Sequence, residues 1–160
     1  MIQTHIFTAT VEHKPGVMQR VSSMFSRRGF NIDNITVGPT DHPEIARMTI
    51  LTTGDDRVLE QVIKQMNKLV NVIKVSDINK EKAVCRELCL IKVHTPKEKQ
   101  KSEVIQYVDV FRGKIVDVAT ESLTVEITGD ADKIDAFINL MRSFGIKEVA
   151  RTGTTAMQRA

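Results

Sequence analysis

Aromatic side chains are scarce, with six Phe, one Tyr and no Trp in 160 residues. A protein that stacks nucleic-acid bases on its rings would have almost nothing to stack them on. Cysteine is scarcer still. Cys85 and Cys89 are the only two, which excludes a disulfide framework. On one extended strand they would share a face but lie about 13 Å apart, beyond the reach of a disulfide, so they read as packing residues. The four histidines, His5, His13, His42 and His94, give no i, i+4 pair and no Cys/His spacing of a zinc site. No apolar run approaches the roughly 18 residues that span a bilayer, and Met1-Ile2-Gln3-Thr4-His5 lacks the basic-then-apolar pattern of a signal peptide. These absences point to a cytoplasmic protein with no metal, no membrane and no nucleic acid among its partners.

An excess of one charge is missing too. Residues 1–80 hold 10 Lys+Arg against 8 Asp+Glu, and residues 81–160 hold 13 against 12. A nucleic-acid binder concentrates its basic residues on one face. Here only Lys97-Glu98-Lys99-Gln100-Lys101 clusters, and it reads as a solvated loop or helix start. No Ser/His/Asp or Cys/His set is placed for nucleophilic catalysis. Gly54-Asp55-Asp56 suits a helix cap better than half of a thiamine-diphosphate motif whose second half is absent. The chain does not read as an enzyme.

What is present is one unit written twice. Residues 2–11 alternate as a strand, with Ile6, Thr8 and Thr10 opposite Phe7, Ala9 and Val11. A helix at about 15–29 carries Val17, Val21, Met24 and Phe25 on one face, and Gly29 ends it. Strands near 30–38 and 45–53 flank a turn with Gly38, Pro39 and Pro43. A helix over 56–69 and a strand over 71–78 complete the order βαββαβ. The order recurs from residue 86: a strand over Leu88–Val93, then a helix with Val104, Ile105, Val108 and Phe111, ended by Gly113. Strands near 114–119 and 123–128 come next, then a helix with Ile134, Phe137, Ile138 and Met141, and a strand over 146–151. The expected fold is α+β, two tandem βαββαβ ferredoxin-like domains over 1–79 and 84–160, with Asn79-Lys80-Glu81-Lys82 as linker.

The copies differ where the first helix begins. The later helices have carboxylates at or near their starts, Asp55 or Asp56 and Asp130 with Asp132, and the third has Ser102 and Glu103 in reserve. The first has only His13 and Lys14, which are poor caps. Pro15 suits position N1, and Gly16 has no side chain to hold a ligand off the backbone. The amides of Val17 and Met18 are then available to a carboxylate, helped by the helix dipole. The plainer alternative is that water satisfies them. A helix terminus contributes roughly 0.3–2 kcal/mol to a bound anion, against about 8 kcal/mol for micromolar affinity. An apolar pocket and an acceptor for any ammonium group must supply the rest. The amide oxygen of Asn31 is such an acceptor, and it could meet the loop across a dimer interface.

The run from Lys14 to Asp33, KPGVMQRVSSMFSRRGFNID, with its continuation Val37-Gly38-Pro39-Thr40, resembles the regulatory (small) subunit of acetohydroxyacid synthase, also called acetolactate synthase. Arg47–Ile50, Phe111–Val118 and Val149–Gly153 resemble the same family, so the likeness extends over nearly the whole chain. It implies an N-terminal ACT domain, a homodimer through that domain, valine as feedback inhibitor, and docking on a separate large catalytic subunit. Thiamine diphosphate, Mg and FAD are implied for that partner and no cofactor for this chain. The resemblance places the effector carboxylate at Gly16, Val17 and Met18, with Asn31 and Ile32 of the neighbouring protomer meeting its ammonium group and side chain. His13 stands where the family commonly has Asn, a bulkier side chain that can carry positive charge. Ser23 stands where Gly is more usual. Two other uses of the order βαββαβ are a free-standing ACT-domain amino-acid sensor and an RNA-binding module. The match of the second half opposes the first. Ile32 and Ile35, at positions where RNA-binding modules place aromatics, oppose the second.

Overall fold

The computed structural model describes all 160 residues as two compact units, Met1–Cys85 together with Thr154–Ala160, and Arg86–Gly153. The first runs β1 (Gln3–Glu12), α1 (Val17–Arg27), β2 (Asn34–Pro39), β3 (Ile45–Gly54), α2 (Asp56–Asn67) and β4 (Val72–Ile78). Next come β5 (Ala83–His94), α3 (Glu98–Val110), β6 (Lys114–Val118), β7 (Ser122–Gly129), α4 (Ala131–Met141), β8 (Ile146–Arg151) and a short β9 (Thr155–Gln158). The strand orders are β2-β3-β1-β4 and β6-β7-β5-β8, with β9 pairing β5. The fold is therefore the expected α+β pair of βαββαβ units.

Alternation decides the core of each unit. In the first sheet Phe7 lies opposite Ile50, Ala9 opposite Met48 and Val11 opposite Ala46. All six are buried against Val17, Val21, Met24 and Phe25 of α1 and Val62 and Met66 of α2. In the second sheet Cys89, Ile91 and Val93 face Ile127, Val125 and Leu123, under Val104 and Val108 of α3 and Ile134, Phe137, Ile138 and Met141 of α4. The pairing of the central strand with the last strand of its unit slips at Thr10/Val11 in one copy and at Lys92/Val93 in the other. The two copies therefore share their irregularity as well as their order.

The last residues depart from the expected second domain, 84–160. Residues Thr154–Ala160 pack with the first unit. Ala156 is buried with Ile6 and Ile78. The Ala156 amide donates to Thr49 Oγ1 at 3.4 Å, and Arg47 Nη2 donates to the Ala156 carbonyl at 3.0 Å. Ile6 and Thr8 are buried as a result, although the alternation alone marks only Phe7, Ala9 and Val11 as the core face. The segment read as a linker folds as a short 3-10 turn, Lys80–Lys82, capped by Asn79 Oδ1 accepting from the Glu81 amide at 3.0 Å.

The two glycine stops differ in kind. At the end of α1, Gly29 takes the left-handed conformation and the Phe30 amide returns to the Phe25 carbonyl at 3.0 Å. At the end of α3, Arg112 takes it instead (φ 56°), and the Gly113 amide returns to the Val108 carbonyl at 2.8 Å. Gly113 therefore comes after the reversal, and it is kept small by the Glu126 carbonyl, 3.1 Å from where a Cβ would stand. Arg112 bears a left-handed strain that glycine would not. Arg112→Gly is expected to stabilise the second unit by about 0.5–1 kcal/mol, the relief of that strain less the added freedom of the unfolded chain. A rise in the urea midpoint, tracked through the amide signals of residues 86–153, measures it.

Candidate functional site

The site begins where β1 hands over to α1. Two backbone bonds anchor the handover: the Glu12 amide donates to the Asn71 carbonyl and the His13 amide to the Glu44 carbonyl, both at 2.8 Å. Gly16 is the N-cap, left-handed at φ 86°, with no side-chain cap, and a Cβ there would meet nothing within 4 Å. The helix starts at Val17, so Pro15 precedes the cap and does not occupy the expected position N1. The register of free amides moves with it. The Val17 amide turns back to the Lys14 carbonyl at a long 3.4 Å, and the Arg20 amide closes on the Gly16 carbonyl at 3.1 Å. The Met18 and Gln19 amides have no acceptor within the chain. Gln19 is thus a site residue that sequence reasoning missed. Its signal was available, since a glycine N-cap at Gly16 makes Met18 and Gln19 positions N2 and N3.

The second unit reaches its helix by a different route. The His94 and Thr95 amides donate to the Gly145 and Glu121 carbonyls, both at 2.8 Å, reproducing the anchors at Glu12 and His13. From there the connection is one residue shorter and reaches α3 through Lys97 in an extended conformation (φ −123°, ψ 149°). The Lys97 amide is taken by Gln100 Oε1 at 3.3 Å. Ser102 and Glu103, read as capping reserves, lie within α3. Asp55 and Asp130 cap α2 and α4 as expected, accepting from the Val58 and Lys133 amides at 3.1 and 2.9 Å. Among the four α-helices, only α1 combines no side-chain cap with a left-handed glycine.

A cavity of about 470 Å³ opens over this loop, lined by His13, Pro15, Gly16, Val17 and Met18 above Val11, Ala46 and Met48. That volume falls within the range of small-molecule sites, about 300–1,000 Å³. Met18 and Val37, which also line it, are exposed, so the cavity is open on their side. A charged network holds the loop from beneath. Lys14 Nζ lies 3.0 Å from Glu12 Oε2, Asn71 Nδ2 donates to the same oxygen at 3.0 Å, and Arg20 donates to Asn71 Oδ1. Sequence reasoning missed this network, in which Glu12 of the loop is joined to Arg20 and Asn71, up to 59 positions apart, in an arrangement that only the β1–β4 pairing creates.

Asn31 and Ile32 lie elsewhere in the protomer. They come after α1 at its other end, and eleven helical residues span about 16 Å. Asn31 Nδ2 donates to Asp33 Oδ1 at 2.6 Å, which leaves the amide oxygen of Asn31 as its free group. Ile32 packs against the first core. No group of three or more His, Cys, Asp or Glu side chains could hold a metal ion, and no helix is long and apolar enough to cross a membrane. Cys89 is buried in the second core and Cys85 packs beside Ile6, Ile78 and Ala156. Neither forms a disulfide.

Comparison with known proteins adds the family context. Residues 86–160 match the small subunit of acetolactate synthase, and residues 7–74 match the AHAS small subunit-like ACT domain. The chain is 64% identical over 156 residues to a probable acetolactate synthase small subunit of Methanothermobacter thermautotrophicus, covering 98% of this chain and 93% of that protein. It is 56% identical to the corresponding protein of Archaeoglobus fulgidus, covering 97% and 96%. The crystal structure of the acetolactate synthase small subunit from Thermotoga maritima superposes with a TM-score of 0.93 at 46% identity, covering 99% and 98% of the two chains.

The network beneath the loop predicts a titration. The hydrogen bond from Lys14, then that from Asn71, holds the Glu12 carboxyl below its ordinary value of 4.5. The folded state therefore prefers the charged form. That preference is fully present above the ordinary value and lost as the pH falls through the lowered one. The Glu12 side-chain carbon signal is expected to titrate below 4.5, and Lys14→Met should move its midpoint upward. An unmoved midpoint in Lys14→Met would show that the ion pair does not hold the loop.

Proposed function

From the premise that the chain belongs to the family of acetolactate synthase small subunits, we propose that it binds valine in its first unit. On this reading it docks on the large catalytic subunit in the cytoplasm, raises that subunit's activity and makes it subject to feedback inhibition by valine. Thiamine diphosphate, Mg and FAD belong to the partner, which condenses two pyruvates, or pyruvate with 2-oxobutyrate, early in branched-chain amino-acid synthesis. The observation that carries the proposal is the left-handed, uncapped Gly16 at the mouth of a cavity floored by Val11, Ala46 and Met48.

Each part of valine has a counterpart. The carboxylate approaches the Met18 and Gln19 amides, unobstructed at Gly16 and favoured by the positive end of the helix. The isopropyl group lies on the apolar floor, beside Val17. The ammonium group needs an acceptor, and the free amide oxygen of Asn31 lies too far along α1 to serve its own loop. A second copy supplies it, so the site is assembled in a homodimer, with Asn31 and Ile32 of the neighbouring protomer closing the open side. His13 stands at the rim of the cavity, where its bulk bears on effector selectivity.

Inhibition is then a matter of linkage. Valine must favour the less active arrangement of the complex, and a coupling of about 1–3 kcal/mol gives roughly 5–150-fold. Reciprocity requires the catalytic subunit to change valine affinity by the same factor. Calorimetric titrations of valine, with and without the partner, measure that factor, and identical constants would remove the allosteric part of the proposal.

Two substitutions test the site by the same titration, with alanine and glutamate as control ligands. Gly16→Asp places a carboxylate where the effector carboxylate belongs. There is open space for its Cβ, and Asp tolerates left-handed backbone better than most residues. Like charges so placed cost several kcal/mol, so saturable valine binding should vanish while the fold persists. Asn31→Ala should weaken binding by about 1.5–3 kcal/mol, the range for a hydrogen bond to a charged group. Retained valine binding in Gly16→Asp would move the effector to another place.

A further inference from the structure

The outward face of α1 carries positive charge that nothing in the chain balances. A groove of about 820 Å³ begins at Gly16 and runs along this face past Arg20 and Arg27, bordered by the hydroxyl-bearing Ser22, Ser23 and Ser26. It continues, sharing Arg27, into a second hollow of about 440 Å³ with Arg28 and Lys68. No carboxylate lines either part, and the segment from Val17 to Arg28 contains no acidic residue. Arg27, Arg28 and Lys68 form no ion pair. Among the ion-paired cations elsewhere, Lys14 pairs with Glu12, Lys92 with Glu148, Lys101 with Glu98, and Arg151 with Glu87 and Asp135. Arg20 has an uncharged partner, Asn71.

Converging like charges raise the energy of the free chain and attract a partner of opposite sign. The lining chooses among such partners. No aromatic ring borders the groove, so a nucleobase finds no stacking surface. The groove is open and runs beside the helix for most of its length, which suits several carboxylates spaced along a polypeptide. We propose that this groove docks an acidic segment of the acetolactate synthase catalytic subunit. The proposal rests on the regulatory-subunit reading for the identity of the partner and goes beyond it by locating the contact.

The placement joins two functions in one rigid element. The first turn of α1 faces the effector cavity, its inner face is locked into the core by Val17, Val21, Met24 and Phe25, and its outer face meets the partner. A shift of α1 that favours one ligand is then felt by the other, which is the physical requirement for coupling.

The test uses the full chain and the complete catalytic subunit, with association monitored by interferometry at about 0.1 M and about 1 M salt, where the screening length is about 10 and 3 Å. Wild-type association should be slowed by the higher salt. Arg27→Glu combined with Arg28→Glu should slow it roughly tenfold or more at the lower salt, with calorimetric valine binding unchanged. The milder pair Arg27→Gln and Arg28→Gln should give an intermediate effect, and it decides the matter if the reversed pair loses valine binding and hence its fold. Wild-type association rates in both variants would overturn the groove and leave the regulatory-subunit reading standing. No association of the wild-type chain would overturn both. If the variants kept the catalytic subunit but lost binding of inorganic tripolyphosphate, the groove would be a small-anion site and the docking proposal would fall.

Discussion

The stacking of Phe25 on Phe7 is the contact on which the first unit depends. Their rings lie 6.1 Å apart and within 6° of parallel, and both side chains are almost wholly buried. Phe7 belongs to β1, which is paired on both sides by β3 and β4, and Phe25 belongs to α1. The contact therefore fixes the helix against an inner strand, one that cannot shift without disturbing both neighbours. Once strand and helix are so placed, the four residues from His13 to Gly16 must bridge a set distance and reverse direction. A left-handed residue at Gly16 is how they do it. The conformation that exposes the amides of α1 is thus imposed by the core, and glycine makes it tolerable.

The second unit shows that the fold alone does not set the form of this loop. Its central strand, its irregular register with β8 and its two anchoring amides at His94 and Thr95 repeat the first unit's arrangement. It then reaches its helix through an extended Lys97, and Gln100 takes the amide nearest the start. One residue of loop length and one glycine separate a left-handed entry to the helix from an extended one. The difference lies in the connection, where sequence can change without disturbing the packed layers.

Much of this is legible in the sequence, and the reasons are physical. Strand alternation and helical spacing are set by the core, so Phe7, Ala9 and Val11 and the stripe from Val17 to Phe25 identify themselves. Gly16 and Asp55 identify themselves through local chemistry. The misses share a different cause. β9 has one buried residue, Ala156, and depends on bonds to Arg47 and Thr49 that no local pattern encodes. Gly113, like Gly29, reads in the sequence as the residue that ends its helix. The left-handed residue is Arg112 instead, and Gly113 is needed for the close approach of the Glu126 carbonyl, a contact made only when β6 and β7 pair. The network of Glu12, Asn71 and Arg20 exists only once β1 and β4 are paired. Periodicity reads what the core dictates, and contacts between distant segments of sequence stay invisible to it.

The magnitudes bear on how a subunit of this kind can regulate. Micromolar binding corresponds to about 8 kcal/mol, most of which must come from apolar contact and the ammonium acceptor and can be the same in every state of the complex. Only the part that differs between states changes activity. A helix terminus contributes roughly 0.3–2 kcal/mol, which overlaps the range of about 1–3 kcal/mol typical of allosteric coupling. Under the proposed reading, then, a modest change in how α1 presents its Met18 and Gln19 amides would be of the right size, with the rest of the pocket unaltered. Such a change requires a helix that moves as one body, and the burial of Val17, Val21, Met24 and Phe25 along its inner face gives α1 that rigidity. The core that fixes the loop is also what would let a contact at one end of the helix be felt along its outer face.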